Sequence, residues 1–181
     1  MITLALDTST PFLALAATRN NALLFDYHVH IGRAHAEQLL PTIRTLLHEH
    51  GATAQDFSRI VTGIGPGSYT GVKIGLAAAQ GLARGSGAVA HGFTSLACLV
   101  PHGLGAEPLT VLVSAGRGRF YAQTFARTAT GIAVLGAPWR LAAGATEPAG
   151  NVYYWVPEHG VSARNLLAVR GVEPTLQPYY L

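Results

Sequence analysis

Three apolar runs open the chain, at residues 2–7, 12–18 and 22–30, with four residues between the first pair and three between the second. Connections that short leave no room for a crossover, so the runs read as strands of an antiparallel meander. The first run ends on Asp7, Thr8-Ser9-Thr10-Pro11 makes one turn, and Arg19-Asn20-Asn21 makes the other. Leu39, Leu40, Ile43, Leu46 and Leu47 then recur at helical spacing, and Gly51 ends the pattern. Pro41 has no N–H to give the Glu37 carbonyl. Either the helix starts near Leu40 with proline in its first turn, or it runs through Pro41 and kinks.

A short strand at 59–63, a glycine-rich loop at 65–71, a helix at 72–84 and a strand at 88–92 follow. Thr94 or Ser95 can cap a third helix through Val100. The order βββαβαβ predicts an α/β lobe over residues 1–100, a meander extended by crossover units. A Pro/Gly-rich joint at 101–108 leads into a second segment, 109–181. Its strands are expected at 109–114, 119–126 and 132–135, with a loop at 138–150, an apolar run at 152–156 and a short helix at 162–170 stopped by Gly171. A second βββ run implies that the first architecture recurs in reduced form.

Only 12% of the 181 residues are charged against 49% hydrophobic, about half the usual charged share. Such a surface leaves apolar area for a protein partner. The net charge is +3, the basic residues are scattered, and only Arg117 and Arg119 lie close together. Strong autonomous binding of nucleic acid, which needs clustered phosphate contacts, is not indicated. Cys98, the one cysteine, lies in an apolar stretch and reads as a buried, inert thiol. No stretch has spanning length and no leader pattern opens the chain, so a cytoplasmic protein is expected.

In Gly65-Pro66-Gly67-Ser68-Tyr69-Thr70-Gly71, the glycines permit unusual backbone angles ahead of a helix N-terminus, a setting suited to an anion. No Gly-Lys-Ser/Thr closes the loop, which favours a tight structural turn over a working phosphate cradle. Lys73, the only lysine, falls in the first turn of the helix, where a cation opposes the dipole. Asp7 is one candidate partner. Gly71, Gly75, Ala78, Ala79 and Leu82 form a small-residue face on that helix. With Leu39, Ile43 and Leu46 of the first helix, it could make a surface for another chain.

The opening Leu4-Ala5-Leu6-Asp7-Thr8-Ser9, the glycine loop continued by Val72-Lys73-Ile74-Gly75-Leu76, and Gln80-Gly81-Leu82-Ala83 together resemble the signature of the TsaB family. His35-Ala36-Glu37-Gln38-Leu39-Leu40-Pro41 and Gly118-Arg119-Phe120-Tyr121 support it. The resemblance implies a two-lobed actin-like fold and a scaffold for TsaD, the enzyme that forms threonylcarbamoyladenosine on tRNA, with the ATPase TsaE completing the complex. It also implies a helix-pair surface used for the TsaD heterodimer and for homodimers, and contact with tRNA only through the complex. Asp7, Thr8, Gly65, Gly67, Ser68, Thr70, Gly71 and Lys73 would be a degenerate phosphate loop, with weak nucleotide at most at the complex interface and no cofactor required by this subunit.

Chemistry of its own is not expected. No two histidines are four apart, and His28 and His30 alone make a poor metal site. Ser114 stands where an acid would help Asp7 to organise a metal and its water, and Ser68 is not in a Gly-x-Ser-x-Gly elbow. The alternative is a small ATP-dependent kinase or ATPase with Asp7 and the glycine loop at the phosphates.

Overall fold

The computed structural model describes residues 1–103, 105, 107–170 and 175–179. The opening runs are β1 (Ile2–Asp7), β2 (Phe12–Arg19) and β3 (Ala22–His30), paired antiparallel in turn. The hairpin between β2 and β3 puts Asn20 and Asn21 at φ 52° and 69°, the left-handed pair that a two-residue turn requires. β4 (Phe57–Gly63) pairs parallel with β1, and β5 (Val89–Phe93) pairs parallel with β4. The sheet order is thus β3-β2-β1-β4-β5, with α1 (His35–Glu49) and α2 (Tyr69–Ser86) as the crossovers. β1 and β2 are covered on both faces, which is why they read as nearly continuous apolar runs.

Of the two readings of Pro41, the structure selects a helix that runs through it: α1 starts at His35. Pro41 is exposed, so water can serve the orphaned Glu37 carbonyl. α2 starts three residues earlier than its apolar pattern suggests, because Ser68 caps it by accepting from Gly71 N at 3.2 Å. Lys73 therefore lies in the second turn, where the helix dipole acts more weakly. The expected third helix is a 3₁₀ segment, Ser95–Leu99, capped by Thr94.

The second sheet has the order β10-β8-β7-β6-β9, built from β6 (Leu109–Gly116), β7 (Arg119–Thr128), β8 (Gly131–Leu141), β9 (Asn151–Tyr154) and β10 (Val169–Arg170). Its β8-β7-β6-β9 part repeats β3-β2-β1-β4 of the first sheet with the same pairing directions. Where α1 crosses over in the first sheet, residues 142–150 form only a loop. β8 runs six residues beyond the expected Leu135, through Pro138, because a bulge opposite Gln123 removes the need for a proline N–H. Gln123 Nε2 donates to Gly136 O at 2.8 Å across that bulge. The last helix shrinks to α3 (Arg164–Ala168), and the expected Gly171 stop lies outside the described residues.

One face of the first sheet packs under α1 and α2, burying Leu4, Leu6, Leu13, Leu15, Ile43 and Ile60. The other face packs against the second sheet and α3, joining Ala5, Ala14 and Val61 to Phe125, Trp155 and Leu166. Cys98 is buried in that seam, and burial pushes its thiol pKa up, as expected of an inert side chain. Asn165 Nδ2 donates to Val100 O at 2.9 Å, and Ser162 Oγ donates to Asp26 Oδ2 at 2.8 Å across the seam. No helix among the described residues is long and apolar enough to cross a membrane.

Because the seam core belongs to both sheets, Phe125→Ala is expected to cost about 3–5 kcal/mol and to destabilise both together. Urea unfolding followed by tryptophan fluorescence and by far-UV circular dichroism should give coincident midpoints, both shifted. Separate transitions would contradict a shared core.

Candidate functional site

β1 and β4 run parallel and end side by side, which places Asp7 against Gly63. A side chain at 63 would collide with the Asp7 carboxylate and with Ser95 Oγ, so only glycine fits. Asp7 Oδ1 accepts from Ser9 N at 2.9 Å and from Ser9 Oγ at 2.8 Å. Oδ2 is buried and makes no hydrogen bond. Burial raises the Asp7 pKa above its ordinary 3.8; the Ser95 and Ser9 hydroxyls, the Ser9 amide and the distant His35 offset this only in part. His35 itself is buried, with Nε2 at 3.0 Å from Phe12 O.

The glycine loop is tied to the turn after β1 and to Ser95. Gly65 N donates to Ser95 Oγ at 2.9 Å, Ser95 N to Gly65 O at 2.8 Å, Ser68 N to Ser9 O at 2.8 Å, and Thr8 Oγ1 to Gly71 O at 2.7 Å. The amides at 65, 68 and 71 are thus engaged within the chain. A Cβ at Gly67 would lie 2.6 Å from Ser9 O, and one at Gly71 would strike the Thr8 carbonyl. These glycines serve a close approach of backbone to backbone. Thr70 is exposed in the first turn of α2, and Lys73 Nζ sits 4.1 Å over the Tyr69 ring instead of beside Asp7. Gly63, Ser9 and Ser95 complete the site and were not singled out from sequence. The available signal was a strand ending in glycine beside a strand ending in aspartate.

Between the lobes lies a cleft of about 480 Å³, lined by Ser9, Pro66 and Ser68 on one side and Ser114, Tyr121 and Trp155 on the other. Ser114 lies two residues before the end of β6, and its Oγ accepts from Gly116 N at 3.2 Å, as Asp7 Oδ1 at the end of β1 accepts from Ser9 N. At this turn the second lobe offers a hydroxyl and no carboxylate. Asp7 does not line the cleft. A carboxylate sunk in a glycine niche, amides already bonded and an uncharged serine opposite do not fit a magnesium–nucleotide centre. Among the described residues no three His, Cys, Asp or Glu side chains gather in one place.

The residues expected at a partner surface need correction. Leu39, Ile43, Leu46 and Ala79 are buried in the core beneath α1 and α2, and Ala78 and Leu82 are half-buried against it. Gly71 and Gly75 face the end of β1; a Cβ at Gly75 would lie 2.6 Å from Thr8 Oγ1. The small-residue face lets α2 settle on its own sheet. The outward face of the pair carries Leu40 and Arg44 from α1 and Ala77, Gln80, Gly81 and Arg84 from α2.

A carboxyl whose folded pKa is raised loses stability as pH climbs from its unfolded value through the folded one. The Asp7→Asn variant keeps an acceptor for Ser9 and removes the buried charge. Measured by thermal unfolding across pH 3–8, it should therefore gain on the parent as pH rises above about 3.8. A parent that gains on the variant over that range would show that the native site favours the carboxylate.

A family model described as TsaD, tRNA N6-adenosine threonylcarbamoyltransferase, matches residues 29–137. The Bacillus subtilis protein named tRNA threonylcarbamoyladenosine biosynthesis protein TsaB is 34% identical over 122 residues, 67% of this chain and 53% of the relative. The Escherichia coli protein of the same name is 30% identical over 132 residues, 71% of this chain and 57% of the relative. The chain thus spans little more than half the length of these relatives. Among solved structures, YeaZ from Pseudomonas aeruginosa superposes with a TM-score of 0.74 at 26% identity, over 85% of this chain and 75% of that one. The matched loop, the β3-β2-β1-β4-β5 sheet and its reduced repeat agree with these likenesses, and the chain belongs to the TsaB/TsaD family, on its TsaB side, with an actin-like, ribonuclease H-like α/β fold.

Proposed function

We propose that this chain is a non-catalytic accessory subunit in the formation of threonylcarbamoyladenosine on tRNA, docking a TsaD-type enzyme on the outward face of α1 and α2. Relatives named for that pathway support the role. In this reading TsaE joins the assembly, nucleotide is held at a subunit interface if anywhere, and tRNA is modified within the complex, in the cytoplasm. A second copy of the chain can use the same face when the enzyme is absent.

One observation carries the choice of face. Gly71 and Gly75 are required by the chain's own backbone, but a Cβ at Gly81 or Gly85 would meet nothing within 4 Å. Glycine inside a helix costs roughly 0.5–1 kcal/mol relative to alanine, and nothing in this chain uses that cost at Gly81. Glycine on an exposed helix face, one turn from Ala77 and beside Gln80 and Arg84, permits a second helix to come close. Leu40, 51% exposed on α1, supplies an apolar residue on the other helix of the pair.

Gly81→Ala should stabilise the isolated chain by about 0.5–1 kcal/mol in urea unfolding. Gly81→Trp should remain folded and bind a TsaD-type partner at least roughly tenfold more weakly by calorimetry, with a matching loss in a tRNA modification assay. Undiminished affinity in the tryptophan variant would remove this face from the interface, and light scattering of the chain alone tests self-association. Bulky replacements at Gly75 or Ala79 are not suitable probes, because both face the core and would unfold the lobe.

A further inference from the structure

At the end of β1 and β4 remote from the glycine loop, on the sheet face turned away from α1 and α2, three arginines converge, one of them more than a hundred residues before the other two. Arg59 comes from β4, Arg164 from the start of α3 and Arg170 from β10, and they line a hollow of about 550 Å³ with Thr3, Thr18 and Thr130. That volume lies within the range of small-molecule sites, roughly 300–1,000 Å³. Among the described residues that line it there is no carboxylate.

The arginines are held in place. Arg170 Nη1 donates to the carbonyls of Leu167 and Val169, both at 2.9 Å, which fixes its guanidinium at the rim. Arg59 is half-buried, and its Nε is fully buried with no hydrogen-bond partner. A buried N–H of a charged group without an acceptor is costly. Burial and the neighbouring Arg170 both push the Arg59 pKa down, and burial and Arg59 do the same to His91. Like charges gathered with an orphaned donor, and with no acid among the described lining residues, call for an oxyanion. Three threonine hydroxyls beside them supply the neutral donors that complete such a shell.

We propose that this hollow binds a phosphate group, carried either by a small phosphate ester or by an RNA backbone. The proposal is independent of the docking face, since none of its residues lies on α1 or α2.

Thermal unfolding in rising inorganic phosphate, against sodium chloride at matched ionic strength, tests it. The parent should gain stability saturably with phosphate. Arg164→Gln, at an exposed position that leaves the core intact, should weaken the apparent affinity roughly tenfold or more. Arg59→Gln should do the same and be no less stable than the parent in phosphate-free buffer, because it relieves a charge repulsion. No phosphate-specific gain in the parent, or an equal gain in both variants, would overturn the proposal. A fluorescent single-stranded RNA oligonucleotide then separates the sources. RNA bound by the parent, displaced by phosphate and lost in Arg164→Gln, identifies the backbone; phosphate-dependent stabilisation without RNA binding identifies a small ester.

Discussion

The structure depends on how closely α2 lies on the end of β1. Parallel pairing of β1 with β4 sets Asp7 against Gly63, and the turn at Thr8 and Ser9 rises directly into the first turn of α2. The approach leaves no room for a Cβ at 63, 67, 71 or 75, because Asp7, Ser9 or Thr8 atoms already occupy the space. What the glycines give up in chain entropy is offset by hydrogen bonds in both directions, from Thr8 to Gly71, from Ser68 to Ser9 and between Gly65 and Ser95. The amides of 65, 68 and 71 are thereby engaged inside the chain, so the loop's composition is explained by its own packing.

Much of this architecture is legible in the sequence because it rests on local rules. Runs of period-two or continuous apolarity separated by short turns give β1 to β3, and the helical spacing of Leu39, Ile43 and Leu46 gives α1. The second lobe is harder to read. β8 passes through Pro138 only because a bulge opposite Gln123 absorbs it, and β10 is two residues long. Neither leaves a periodic trace. The start of α2 was misplaced for a related reason: Tyr69, Thr70 and Gly71 carry no apolar period, yet the Ser68 cap makes them helical.

The site shows where pattern alone gives out. Glycines and alanines at spacings of three and four predict a close neighbour correctly, but the spacing does not say on which side. Gly71, Gly75 and Ala79 meet the chain's own sheet, whereas Gly81, on the same helix, faces outward. The arginine hollow was invisible for a different reason. Arg59, Arg164 and Arg170 are more than a hundred residues apart at the extremes, and only the docking of α3 and β10 beside β4 joins them. A scattered charge distribution in sequence therefore does not imply a scattered one in space.

The two lobes repeat one device with different chemistry. At or near the end of the first strand of each sheet a side-chain oxygen accepts from the amide two residues on, Asp7 from Ser9 and Ser114 from Gly116. A cation held between the two walls of the cleft would need acids on both of them. Here one oxygen-bearing group is sunk behind the glycine niche and the other has no charge, while Tyr121 and Trp155 give the cleft an aromatic wall. The turn survives because it closes the strand end and satisfies an amide, and that role does not require a carboxylate. The geometry of such a cleft can thus rest on packing alone, without the electrostatics of catalysis, and this supports the role proposed for the chain's surface.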